Sequence, residues 1–186
     1  MMQNPAMPVY CTWLHRALLP PALHDRFRDL DHFVRDLASS AISRLIMIAP
    51  YLSPAGMNGL RDAMAVSAQR GAWIRLITDD LEDAEGWNRR ALRTLFEGES
   101  GMIVRKRIRV LTKTQALPVL FHAKIVVVDQ NRGYLGSANL SRSAMEKNFE
   151  VGLALAPSQA EALDGLVSFF ESQGLLEDRT ALVLPG

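Results

Sequence analysis

The chain has 186 residues, 48% of them hydrophobic and 22% charged, the proportions of one globular domain with a sizeable core. The formal net charge is +1 and Cys11 is the one cysteine, which excludes a strongly basic polyanion binder, an internal disulfide framework and a cysteine metal cluster. No apolar run approaches the roughly 18–20 residues of a membrane span. The polar, proline-containing start from Met1 to Tyr10 does not read as a signal peptide, so the cytoplasm is the default compartment.

Residues 1–21 read as an N-terminal arm whose Trp13, Leu14, Leu18 and Leu19 pack on the body or, as the less favoured reading, on a partner, and residues 22–186 as one domain. Apolar spacing at Leu23, Phe27, Leu30, Val34 and Leu37 predicts a helix from Ala22 to Ala41. Arg44–Ala49 is a buried strand, broken by Pro50 and Pro54. A helix over Asn58–Arg70 stops at Gly71, Trp73–Thr78 is the next strand, and Trp87–Gly98 is a further helix. Between the last two lies an acidic stretch from Asp79 to Glu85, read as a solvated connection. Ile108–Thr112 is a strand, and it overlaps a basic run of Arg105, Lys106, Arg107 and Arg109, with Lys113 beyond. That run is either a solvated edge or a local cationic track for a nucleic-acid backbone. Phe121–Asp129, the Tyr134–Ser137 segment and Asn148–Leu155 read as strands, and Ser158–Gly174 as a closing helix with Ser158 as N-cap. The β-α-β-α-β order, followed by strands and a last helix, predicts an α/β fold: a mixed central sheet with helices on both faces.

The chemistry concentrates in the pattern H-x-K-x4-D-x6-G-S-x-N, here His122, Lys124, Asp129, Gly136, Ser137 and Asn139, followed by Glu150. On a strand His122 and Lys124 share a face, about 6–7 Å apart, which suits two groups gripping one phosphate. A turn at Gln130–Gly133 predicts a hairpin that returns Ser137 and Asn139 beside His122. Ser and Asn offer neutral donors to phosphate oxygens. An imidazole nucleophile needs one nitrogen unprotonated and the other oriented, a task that suits a carboxylate. His15, His24 and His32 lack the following Lys and the G-S-x-N, so the pattern occurs once.

This run resembles the HKD motif of the phospholipase D superfamily, and in particular the small single-motif bacterial endonucleases of that family. The resemblance covers roughly Ala22–Gly174, though its specific motifs all fall between His122 and Gly152. It implies a phosphodiesterase acting through a phosphohistidine on His122, without metal or cofactor. Lys124, Ser137 and Asn139 hold the phosphate, Glu150 hydrogen-bonds the nucleophilic His, and Asp129 supports the site. Because the family acts with two motifs, it implies a homodimer with the two motifs facing each other. Nucleic acid is the leading substrate, with a possible place in a larger bacterial defence complex. Two other readings stand beside it: a phospholipase or phosphatidyltransferase, and a catalytically idle nucleic-acid-binding subunit.

Overall fold

A computed structural model describes residues 9–12, 20–119 and 121–184. The strands are β1 (Val9–Cys11), β2 (Phe27–Asp29), β3 (Arg44–Ile48), β4 (Trp73–Ile77), β5 (Ile108–Lys113), β6 (Lys124–Val128), β7 (Arg132–Gly136), β8 (Val151–Leu155) and β9 (Leu176–Asp178). The helices are α1 (Leu30–Ser40), α2 (Pro54–Gln69), α3 (Trp87–Leu95), α4 (Gly98–Arg105), α5 (Arg142–Glu146), α6 (Pro157–Ser172) and α7 (Thr180–Val183). All nine strands join one mixed sheet in the order β2-β1-β8-β7-β6-β3-β4-β5-β9. Strands β3, β4 and β5 run parallel, and β6 enters beside β3 in the opposite sense.

Alternation along the strands divides the core in two. Leu45, Met47, Val126, Val128 and Tyr134 pack into the larger cluster with residues of α1–α5. Ile46, Ile48, Ile125 and Val127 turn the other way, onto Ala160 and Val167 of α6. The expected α/β sheet with helices on both faces is therefore the observed architecture.

Several boundaries differ from the sequence reading, each for a local reason. The helix expected from Ala22 begins only at Leu30. Pro20 and Pro21 start a short 3-10 turn, Phe27–Asp29 pairs with Val9–Cys11, and Asp29 caps α1 by accepting from His32 N at 2.7 Å. Residues 9–11, read as part of an arm, are an integral strand between β2 and β8. Trp13, Leu14, Leu18 and Leu19 lie outside the described residues, as does His15.

Helix α2 starts at Pro54, because Ser53 caps it and proline suits the first helical position. The helix expected over 87–98 ends at Leu95. A separate α4 then begins at Gly98, whose φ of +68° breaks the run. Helix α6 begins at Pro157, with Gln159 Oε1 accepting from Ala156 N at 2.9 Å, so Ser158 is inside the helix rather than its cap. The motif strand is shorter than expected, Lys124–Val128. Its neighbour β3 ends at Ile48, opposite Ile125, shortly before Pro50, which has no N–H to offer. His122 thus precedes the strand instead of lying on it. Among the described residues no helix is long and apolar enough to cross a membrane.

Candidate active site

The motif sits at one end of the sheet, where β6 begins and β7 ends. Lys124 pairs with Gly136 across the β6–β7 ladder, so the hairpin sets Ser137 beside the His122–Lys124 segment. The side chain of Lys124 follows the parity of Val126 and Val128 toward the larger core. The residue is 7% exposed. Its ammonium donates to the His122 carbonyl at 2.7 Å and lies 3.1 and 3.2 Å from the two ring nitrogens of His122. Near-equal distances to both nitrogens exclude a linear bond to each at once. Burial lowers the Lys124 pKa, and the negative charge of Glu150 acts in the opposite sense. Among the described residues no carboxylate lies within ion-pair distance of this ammonium.

Glu150 accepts a very short hydrogen bond from Ser137 Oγ and a second, at 3.1 Å, from Asn148 Nδ2. It makes no bond to His122, contrary to the role the family pattern implies for it within one chain. Ser137 N donates to Val151 O at 3.0 Å, and Val151 N donates back to Ser137 Oγ at 3.2 Å. The hydroxyl therefore ties Glu150 to the end of β7. Asn139 Oδ1 is buried without a hydrogen-bond partner, an unusual state for an amide.

Three residues that sequence reasoning passed over fix this loop. Tyr134 is fully buried, and its hydroxyl accepts from Ala138 N at 3.2 Å, between Ser137 and Asn139. Burial pushes its pKa up to about 12, so it stays a neutral phenol. The phenol ring leaves no room for a Cβ at Gly136 or Gly152, the paired glycines on β7 and β8. Thr12 holds Glu150 by its backbone: Thr12 Oγ1 accepts from Glu150 N at 3.1 Å, and Thr12 N donates to Glu150 O at 3.2 Å. Ser53 Oγ accepts from Gly56 N at 3.1 Å and from Arg142 N at 3.0 Å, while Ser53 N donates to Leu140 O at 3.3 Å. It thereby joins the start of α2 to the loop after Asn139. None of the three carries a motif, and Thr12 and Ser53 act across a long stretch of sequence.

Asp129 is not brought to this cluster. It follows the far end of β6, about 16 Å away at ~3.3 Å per residue. There it accepts from Ile42 N, Ser43 N, Ser43 Oγ and Arg44 N at 2.7–2.9 Å. Burial alone would raise its pKa, but the bonds from Arg44, Ile42 and Ser43 outweigh it and the carboxyl titrates below its ordinary value.

The basic run is split in the same way. Arg105, Lys106 and Arg107 precede β5 at the Asp129 end of the sheet, and Arg107 stacks over Trp73 with its Cζ 5.0 Å from the ring centroid. Arg109 is engaged by Glu171 at 2.9 Å and Asp178 at 2.8 Å. Only Lys113, at the other end of β5, lies at the His122 end.

The family model described as "Cardiolipin synthase, PLD-like domain" matches residues 34–172. Among solved structures, the phospholipase D family member Nuc from Salmonella typhimurium superposes with a TM-score of 0.61 at 20% identity, covering 94% of this chain and 98% of its own. NucT from Helicobacter pylori gives 0.58 at 15% identity, covering 91% and 96%. Phosphatidylserine synthase from Haemophilus influenzae Rd KW20 gives 0.54 at 17% identity, covering 81% of this chain and 37% of its own. No curated protein sequence matches the chain. At these identities the likeness of structures speaks for the fold alone.

Proposed function

Because the chain belongs to the phospholipase D-like family, whose model spans most of it, and is a phosphodiester hydrolase by that membership, we propose that it is a nuclease that cleaves DNA or RNA without metal, as a homodimer. One observation carries this reading. His122 stands against a buried ammonium, Lys124, that among the described residues makes no ion pair, with Glu150 acting on it only at longer range. A buried cation without a counter-ion is costly unless an anion arrives. A phosphodiester is the anion that a neighbouring imidazole can attack.

In this scheme a ring nitrogen of His122 attacks phosphorus, and the bond to the leaving oxygen breaks as the P–N bond forms. The same residue of a second copy protonates that oxygen, then as a base takes a proton from the water that releases the phosphohistidine. Lys124, Ser137 and Asn139 hold the non-bridging oxygens as charge develops. Glu150 orients imidazole or hydroxyl from its fixed place just before β8. Asp129 acts on the fold, at the other end of the strand.

A second copy is supported by the surface beside the site. On the face of β7, β8 and β1 away from the larger core, Leu135, Val151 and Leu153 are exposed next to Ser137, and Phe149 is 72% exposed. An apolar face that adjoins a site with one imidazole suits an isologous pairing that brings a second. Assembly into a larger complex, defensive or otherwise, would build on that dimer.

The lipid reading has one observation in its favour. An apolar hollow beside His122 is lined by Ile48, Val119, Phe121, Leu163 and Phe170, with a volume of about 190 Å³. That is below the roughly 300–1,000 Å³ of usual small-molecule sites, so nucleic acid stays the preferred substrate.

The test is cleavage of single- and double-stranded DNA and RNA in excess EDTA by wild type and His122→Ala, with acid-quench trapping of a phosphohistidine. EDTA-resistant cutting that disappears with His122→Ala is expected. Strict dependence on added magnesium, or turnover of phosphatidylglycerol with none of nucleic acid, overturns the proposal.

A further inference from the structure

Beside the motif stands an exposed aromatic pair that the cleavage scheme does not use. Tyr51 follows β3, and Leu52 forms a parallel bridge to Leu140. By that register Tyr51 lies opposite Asn139 and next to the phosphate-holding loop. Trp87 opens α3, and its ring centroid is 6.4 Å from that of Tyr51, with the planes tilted by 49°. Tyr51 is 41% exposed and Trp87 54%, and the Arg90 guanidinium sits 4.5 Å from the centroid of the Trp87 ring.

The backbone beneath the pair is held from the interior. Asn88, the residue after Trp87, is buried, and it clasps both neighbours of Tyr51. Its Oδ1 accepts from Leu52 N at 2.8 Å, and its Nδ2 donates to Pro50 O at 2.9 Å. The same amide donates to Thr78 Oγ1 at 3.1 Å and to Asp79 O at 2.5 Å, which binds in the loop after β4 as well. One buried amide thus fixes the backbone that carries Tyr51 relative to the start of α3, which carries Trp87, while both rings stay half in water.

We propose that Tyr51, Trp87 and Arg90 form a stacking ledge for unpaired bases flanking the scissile phosphate, which makes single-stranded nucleic acid the preferred substrate. This rests on the nuclease reading above. Flat aromatic faces next to a cation suit a base, since every base has a π-face and a neighbouring phosphate. A duplex buries its base faces in its own stack and cannot offer them. Asn139 and the ledge share one side of the Leu52–Leu140 bridge, so a phosphate on Asn139 puts its adjoining base within reach of Tyr51. Pre-setting the backbone beneath the rings lowers the ordering cost of binding.

The experiment uses the full chain in the His122→Ala background, to keep the ligand uncut. It compares a thymidine oligomer of about 12 nucleotides with an abasic oligomer of equal length and charge, and with the corresponding duplex, by fluorescence anisotropy. The thymidine oligomer is expected to bind about tenfold or more tightly than the abasic one. Tyr51→Ala with Trp87→Ala should erase that difference while leaving duplex affinity as it was. Trp87→Phe with Tyr51 intact should keep most of it, which separates lost stacking from a damaged fold. Equal binding of base-bearing and abasic oligomers overturns the ledge, as does a base preference that survives the double substitution. Loss of binding to phosphatidylglycerol vesicles with the oligonucleotide preference untouched would make the rings a lipid contact instead, also against the proposal. If wild type cuts nucleic acid but shows no base dependence, the ledge alone falls. If it neither binds nor cuts any oligonucleotide, the nuclease reading falls and the ledge with it.

Discussion

The two ends of β6 are built on opposite principles. At the far end Asp129 has a positive φ of 50°, and its carboxylate takes four hydrogen bonds from Ile42, Ser43 and Arg44. At the near end Lys124 is more deeply buried than Asp129, yet it bonds only a backbone carbonyl and an imidazole ring, with Glu150 acting from beyond ion-pair distance. Saturation of polar groups is what stability asks for. A shortfall persists where a ligand is to complete the set. Under the proposed scheme the motif H-x-K-x4-D therefore spans one strand, with the chemistry placed at its head and an anchor at its tail.

The largest effects belong to the head. His122→Ala is expected to lower turnover by at least about 10⁴-fold, since a nucleophile has no substitute. Lys124→Ala should lower it by roughly 10²–10³-fold, the range for losing one charge-stabilising donor. Both should melt within a few degrees of wild type, because neither side chain holds elements together. A Lys124→Ala protein that loses its fold before its activity would contradict the division of labour. The head also has a pH signature. The scheme needs Lys124 charged, and its pKa is lowered by burial, so activity should fall on the alkaline side before the ordinary lysine value of 10.5 is reached. An alkaline limb that Lys124→Arg leaves unmoved would assign it to another group.

The tail should answer in stability. Asp129→Ala leaves the amides of Ile42, Ser43 and Arg44 without their acceptor, and a loss of about 2–3 kcal/mol is expected. For a chain of this size that is a drop of roughly 4–10 °C in Tm, with turnover per folded molecule nearly retained. Thermal melting with active-site titration checks it. The acid response follows from the same bonds. The folded pKa of Asp129 lies below its ordinary 3.8, so its contribution is fully present above that value and is lost as pH falls through the lower, folded one. Asp129→Asn should flatten the stability–pH curve in that window and nowhere else. An unchanged acid limb would show that other carboxylates set it.

The contrast also explains what was legible in the sequence. Local patterns are legible: the strands of RLIMI and WIRLI, and the hairpin after Asp129 that sets Ser137 beside Lys124. What did not come through depends on partners distant in the chain. Thr12 holds Glu150 from the other end of the sequence, β1 is a strand because it pairs with β8, and β2 because it pairs with β1. Helical spacing from Leu23 to Phe27 was real but lost to that pairing. Asp129 is the instructive case. Its spacing within the motif is the same whether it serves the site or the fold, and only its bonds to Ile42, Ser43 and Arg44 tell which.

The smallest expected effect concerns the charges. In the row Ile125–Ile48–Ile77–Leu111, adjacent strands are in register across β6, β3, β4 and β5. Lys113 lies beyond Leu111 in the direction in which Lys124 lies beyond Ile125, and about 14 Å separates the two rows at ~4.8 Å per strand. Lys113 shares the α6 face with Leu111 and has Asp79, Asp80, Glu82 and Glu177 around it, so under the nuclease reading it is the one cation of the run at the His122 end and at most one phosphate contact. Arg105, Lys106 and Arg107 lie past the other end of β5, beside the Asp129 end of β6. Lys113→Ala should therefore reduce the slope of log affinity against log salt by about 0.7–0.9, one phosphate contact. Replacing Arg105, Lys106 and Arg107 together should change the slope by less than that, although it removes three charges. Binding titrations from about 50 to 200 mM salt measure both slopes. If the triple variant flattens the slope the more, the nucleic acid crosses the sheet to the anchored end, and the separation of head from tail fails for binding even where it holds for chemistry.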